Sequence, residues 1–187
     1  TLALALPAAV GLMLVANDAL SLIYGAGFES AGRLLAIVAP LIVFQAITSG
    51  LGNALYAGMM ERATLRIVSV NCIATLVLGL VLIPGFGATG AAVAALSVGV
   101  LNLVQHFLPV TRLLGRVLAL VAAAGWRPLI ATAVMAGVLR LLDIDKLLWA
   151  VPTGIAVYLV SFGLIFLISG GRPSVLSSYL TRTGTRT

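Results

Sequence analysis

The chain has 187 residues, of which 61% are hydrophobic and only 9% charged, with a mean hydropathy of +1.20. Ordinary globular domains carry roughly 25% charged residues; a water-soluble core of this length has no room for so much apolar surface, so the composition excludes a soluble fold and makes lipid the solvent. The formal net charge of +6 would suggest nucleic acid in a soluble protein, but no basic stretch is interleaved with aromatics, and nucleic acid is not an expected partner.

About 20 apolar residues make a spanning helix, and the chain offers six such runs, an all-α, polytopic membrane bundle. The first, Leu2 to Tyr24, ends at the glycines of "GAG". It is already apolar at Leu2 and has no charged leader or cleavage site, so it is no signal peptide. It reads as the start of the back part of a longer protein. The second run, Arg33 to Ala57, contains Pro40, which frees the carbonyl of Ala36 and should bend the helix. The third, Leu65 to Ile83, is expected to stop at Pro84 and the "GFGATG" turn. It holds Cys72, the single cysteine, expected to be a buried, inert thiol. The fourth, Thr89 to Thr111, opens on small residues, Gly90 to Gly99, which let helices approach closely in lipid. The fifth is short, Pro128 to Leu142, with Pro128 at an expected helix start. The segment before it, Leu113 to Gly125, either lies on the membrane surface or lengthens the span. The sixth is Leu147 to Ser169, followed by a short polar tail. Residues 1–112 thus form four spans, and 113–187 an interfacial segment, two further spans and the tail.

Charge placement orients the bundle. With the Glu61–Arg66 loop in the cytoplasm, Arg62, Arg66, Arg112, Arg116, Arg127, Arg172, Arg182 and Arg186 fall inside and only Arg33, Arg140 and Lys146 outside. That is a strong positive-inside bias, and it puts both ends of the chain in the cytoplasm. Asp18, Glu29, Asp143 and Asp145 fall outside.

The polar residues inside the spans follow a pattern. Gln45, Thr48, Ser49, Gly52 and Asn53 recur at i, i+3, i+4, i+7 and i+8, one stripe of one helix. Asn71 and Thr75 form an i, i+4 pair on the third span; Asn102, Gln105 and His106 form an i, i+3, i+4 set on the fourth. Two readings compete. Such groups can be glue between helices, or they can line a hydrated cavity, since an amide left bare in hydrocarbon costs several kcal/mol. His106, the sole histidine, suits a structural role, a proton-linked switch or a ligand contact. No cysteine or carboxylate accompanies it at metal-ligand spacing, so no metal site is expected. There is no nucleophile–base cluster and no phosphate-cradling glycine motif, so neither catalysis nor a cofactor is expected. The expected spans also carry no carboxylate at mid-depth, where an ion-coupled antiporter wants one.

The order of short motifs resembles one family. "LPAAVGLMLVANDALSLIYGAGFESAGRLLAIVAP", Leu6 to Pro40, and "LGNALYAGMMERATLRIVSVNCIATLVLGLVLIPGFGATGAAVA", Leu51 to Ala94, resemble the multidrug/oligosaccharidyl-lipid/polysaccharide flippase superfamily, and Trp126 to Ser169 resembles the two extra C-terminal spans of its polysaccharide-exporter branch. The resemblance implies part of the second lobe of a two-lobed transporter, its N-terminal lobe missing here. That transporter would flip glycans linked to undecaprenyl diphosphate across the bacterial inner membrane by alternating access. Gln45, Thr48, Ser49, Asn53, Asn71, Asn102, Gln105 and His106 would line the substrate cavity, and Arg62 and Arg66 would supply headgroup electrostatics at its inner mouth. Its partners would be that glycan lipid and the surrounding membrane lipids. The rivals are a drug or cation antiporter of the same superfamily, a membrane enzyme, and a structural membrane subunit.

Overall fold

The computed structural model describes residues 1–142 and 147–169. Among them the chain is helical throughout: α1 Leu2–Tyr24, a short 3-10 turn at Ala26–Phe28, α2 Glu29–Val38, α3 Pro40–Ala57, α4 Glu61–Leu114, α5 Val117–Leu141 and α6 Leu147–Ile168. It is an all-α membrane bundle, and the protein is a multi-pass membrane protein. Large apolar side chains face outward all round it, Leu80 at 76% exposure and Leu167 at 77% among them, as only lipid tolerates. The interior is built mainly from alanine, Ala5, Ala9, Ala39, Ala46, Ala92, Ala94 and Ala131 being buried. Small side chains bring backbones together where no hydrophobic force acts between helices.

Helices α2 and α3 make one pass. Ala39 keeps helical angles, φ −52° and ψ −38°, so Pro40 bends the rod without ending it. Helix α4 makes two passes. Its 54 residues would reach about 80 Å if straight, against a hydrocarbon core of roughly 30 Å. It doubles back at Gly87, whose φ of 55° and ψ of −133° are not helical. Helical structure runs through Pro84, and the reversal at Gly87 falls within the expected "GFGATG" turn. A proline removes one hydrogen bond and kinks, but reversal needs a positive φ, which glycine adopts freely. A Cβ on Gly90 would collide with the carbonyl of Leu82, so the second arm can lie against the first only because that residue is glycine.

Helix α5 also differs from expectation. It begins at Val117 and passes unbroken through Pro128, so the segment from Val117 to Gly125 and the expected fifth run form one continuous helix. Pro128 is interior, and the Thr132 hydroxyl donates to its carbonyl at 2.7 Å. Arg127 therefore lies within a helix and not in a loop. Cys72 is exposed on α4, not buried; the arm turns Asn71 into the groove, and Cys72 does not line it. Of the basic residues expected in the cytoplasm, Arg172, Arg182 and Arg186 lie outside the described residues, as does Lys146 on the other side.

Two apolar clusters hold the bundle. Leu51, Leu55, Ile67, Val110 and Val117 join the end of α3, both ends of α4 and the start of α5. Arg62, Arg66, Arg112 and Arg116 occur on this side of the bundle, and Gly87 caps the opposite side. Ala131, Met135 and Tyr158, with Val10 beside them, join α5 and α6 to α1, where the Tyr158 hydroxyl donates to the carbonyl of Ala3.

Candidate functional site

Helix α3 packs more extensively on α4 than on any other element, and the polar stripe of α3 faces the gap between the two α4 arms. A cavity of about 410 Å³ lies there, lined by Gln45, Thr48, Ser49, Gly52, Asn53 and Tyr56 of α3 and by Thr64, Asn71, Asn102 and His106 of α4, among others. It continues into a larger cavity of about 1130 Å³, sharing Gln45, Ser49, Asn71 and Asn102. The walls of the larger cavity are otherwise chiefly small and apolar, with Leu4, Ala8, Ala91, Ala95 and Gly99 among them. The groove is thus polar toward the side where Arg62 and Arg112 occur and apolar toward the Gly87 side.

Within it, the two readings of the polar residues divide by residue. The Asn71 Nδ2 donates to Asn102 Oδ1 at 2.7 Å, and Gln105 Nε2 donates to Asn71 Oδ1 at 2.9 Å. These three amides clasp the two arms of α4 across a reversal of 31 and 34 residues. Gln105 sits behind the clasp and lines neither cavity. Thr48 is 4% exposed and spends its hydroxyl on the carbonyls of Phe44 and Gln45, at 2.9 and 3.1 Å. Gln45, Ser49 and Asn53, by contrast, are exposed on the groove wall, and among the described residues their side chains bond to no other group. They can still donate and accept.

His106 belongs to the wall. Its Nδ1 lies 2.8 Å from the Asn102 carbonyl. A carbonyl only accepts, so Nδ1 donates to it, and in that tautomer Nε2 is an acceptor. That Nε2 is next to Gly52 of α3. Among the described residues no group of three or more potential metal-ligating side chains comes together. Arg62 and Arg66 are exposed on the first turns of α4. The groove-facing register of that arm is Thr64, Ile67, Val68 and Asn71, so neither arginine lines a cavity.

Two wall residues escaped the sequence reading, Tyr56 and Thr64. Both had a signal: Tyr56 extends the stripe of Ser49, Gly52 and Asn53 by one more step, and Thr64 lies two helical turns before Asn71.

No protein-family profile matches the chain, and no solved structure matches it. One curated relative does. The probable low-salt glycan biosynthesis flippase Agl15 of Haloferax volcanii is 32% identical over 107 residues, which cover 55% of this chain and 22% of that protein. The likeness is to a glycan flippase. The chain thus corresponds to less than a quarter of the length of the relative it matches.

Proposed function

We propose that this chain forms one wall of the path by which a flippase carries lipid-linked oligosaccharide or polysaccharide units across a membrane. The observation that carries the reading is the convergence of uncharged donors and acceptors from α3 and both α4 arms on one groove. Sugar hydroxyls donate and accept, as do amides and hydroxyls, and an uncharged wall can hold a glycan without trapping it. The likeness to a probable glycan biosynthesis flippase supports the same class of cargo and favours a transporter over an enzyme.

In this reading Gln45, Ser49, Asn53 and Asn102 contact the sugar headgroup. Thr48, Asn71 and Gln105 hold the wall in shape, and His106 accepts a hydrogen bond through Nε2. Arg62 and Arg66 act on the undecaprenyl diphosphate from the mouth, through space rather than by contact. The rest of the protein, a first lobe and the missing helices, supplies the facing wall, and the lobes alternate access between leaflets. The membrane is a bacterial inner membrane, the Arg62–Arg116 side faces the cytoplasm, and both ends of this chain lie there.

The test is translocation by the whole protein in vesicles, read as exposure of the glycan to a lectin on the far side. Q45A/S49A/N53A should lower the rate about tenfold, as two or three lost hydrogen bonds predict, with unchanged insertion. Undiminished glycan movement by the triple variant would overturn the reading. Cation exchange without glycan movement would replace it with the antiporter.

A further inference from the structure

Arg127 lies outside the groove, ten residues into α5, about 15 Å along the axis from Val117. Its neighbours are fixed by the α5–α6 hairpin: Leu139 packs beside Gly154, Ala131 and Met135 beside Tyr158, and Arg127 beside Phe166, in the last turn of α6. The guanidinium carbon is 5.4 Å from the Trp126 ring centre and 5.9 Å from that of Phe166. The Nε is buried without a hydrogen-bond partner, while the side chain as a whole is only half-buried. The rings orient the cation and attract it, but they do not neutralise it.

Among the described residues of the chain no acid is positioned to do so. Its five acidic residues are Asp18, Glu29, Glu61, Asp143 and Asp145. Asp143 and Asp145 lie outside the described residues. Asp18 is two turns past Val10, which already packs above Arg127, beside Ala131 and Met135. Glu29 begins α2, past the Asp18 end of α1. Glu61 heads α4, whose contact with α5 is around Val117 and Val121. A half-buried cation without a counter-charge is costly, and such residues take a partner; Phe166, in the last turn of α6, puts this one near the end of that helix.

We propose that Arg127, framed by Trp126 and Phe166, binds the phosphate of an anionic membrane phospholipid. A planar guanidinium suits a phosphate, which it can hold with two parallel bonds. The surface on either side is apolar: Leu129 is 58% exposed, Ile130 45%, Val134 44% and Leu167 77%. A phosphate arriving there is one attached to acyl chains lying along the hairpin. A headgroup with no ammonium of its own leaves the guanidinium without a competitor, hence an anionic lipid. The site lies on the α5–α6 hairpin, apart from the groove, and does not depend on what the groove carries.

Native mass spectrometry of the whole protein tests this with phosphatidylglycerol and phosphatidylcholine as probes. Wild type should retain phosphatidylglycerol in preference to phosphatidylcholine. R127Q should weaken that retention roughly tenfold, R127K should fall between, and R116Q should match wild type. The melting temperature of R127Q in phosphatidylcholine should equal or exceed that of wild type, since an unpartnered buried Nε has gone. R127K keeps the comparison in force should R127Q not fold. Equal retention by wild type, R127Q and R127K overturns the proposal. So does an equal loss in R116Q, which would make the effect a diffuse property of the basic side. Retention of a polyprenyl diphosphate in place of phosphatidylglycerol, with the same dependence on Arg127, overturns the phospholipid assignment.

Discussion

Asn71 donates to one amide and accepts from another, and both partners come from the returning arm of α4. Replacing it by alanine removes two bonds at once and leaves Gln105 without its acceptor. Interhelical bonds in membranes average about 0.6 kcal/mol, so N71A should cost roughly 1–2 kcal/mol, read as a lowered thermal midpoint in detergent. S49A, whose hydroxyl serves no other residue, should leave that midpoint unchanged while slowing transport; an equal loss of stability in both would erase the division between clasp and wall. The stripe from Gln45 to Asn53 was readable because a helix repeats every 3.6 residues and apolar surroundings make any polar residue conspicuous. The division of labour within it was not readable. Asn71 and Gln45 are the same kind of amide in a one-dimensional text, and only the pairing across 31 residues separates them. The helical setting of Arg127 was not readable for a related reason: an arginine before a proline has the pattern of a loop, and nothing local says that the preceding apolar segment continues the same helix.

At the scale of the element, α4 is the unusual piece, because its two helical arms meet with no loop between them, at the single non-helical residue Gly87. A side chain at Gly87 would be held in the left-handed region at a cost of roughly 1–2 kcal/mol, so G87A should lower stability by about that amount. G90V should do more harm, since its side chain meets backbone rather than a movable side chain. Both are measurable by unfolding in mixed micelles. Should G90V be as stable as wild type, the close approach of the two arms at Leu82 is wrong. Six passes were legible as six apolar runs, with boundaries accurate wherever a glycine marks the turn, as at Gly25 and Gly58. The helix start expected at Pro128 was not there, because in lipid a helix keeps its remaining hydrogen bonds through a proline when no water is at hand to replace them.

For the whole molecule, the junction at Leu55, fully buried between α3, α4 and α5, ties the groove to the α5–α6 hairpin. L55A should destabilise the protein by about 2–4 kcal/mol and loosen α5 from the rest, detectable as faster proteolysis near Gly115. Water access to the groove is checked by single cysteines at Gln45, Ser49, Asn53 and Asn102 in a C72S background. The replacement is needed because Cys72 is itself exposed. The four sites should react with a membrane-impermeant maleimide applied from the Arg62–Arg116 side, and positions such as Leu80 should not. Silence at all four would mean that the groove is filled by protein in the intact molecule.

The bend at Pro40 has a mechanical consequence. Ala39, at 1% exposure, is pinned among its neighbours, while the carbonyl of Ala36 is released from the ladder by the imino acid. The joint is therefore fixed in place but soft in angle. From there to Asn53 the rod is about 20 Å long, so a swing of roughly 10° moves its tip by on the order of 3 Å, the diameter of a water molecule. Stiffening that joint, as P40A would, should leave the resting shape intact and slow any cycle in which the α3 wall must swing.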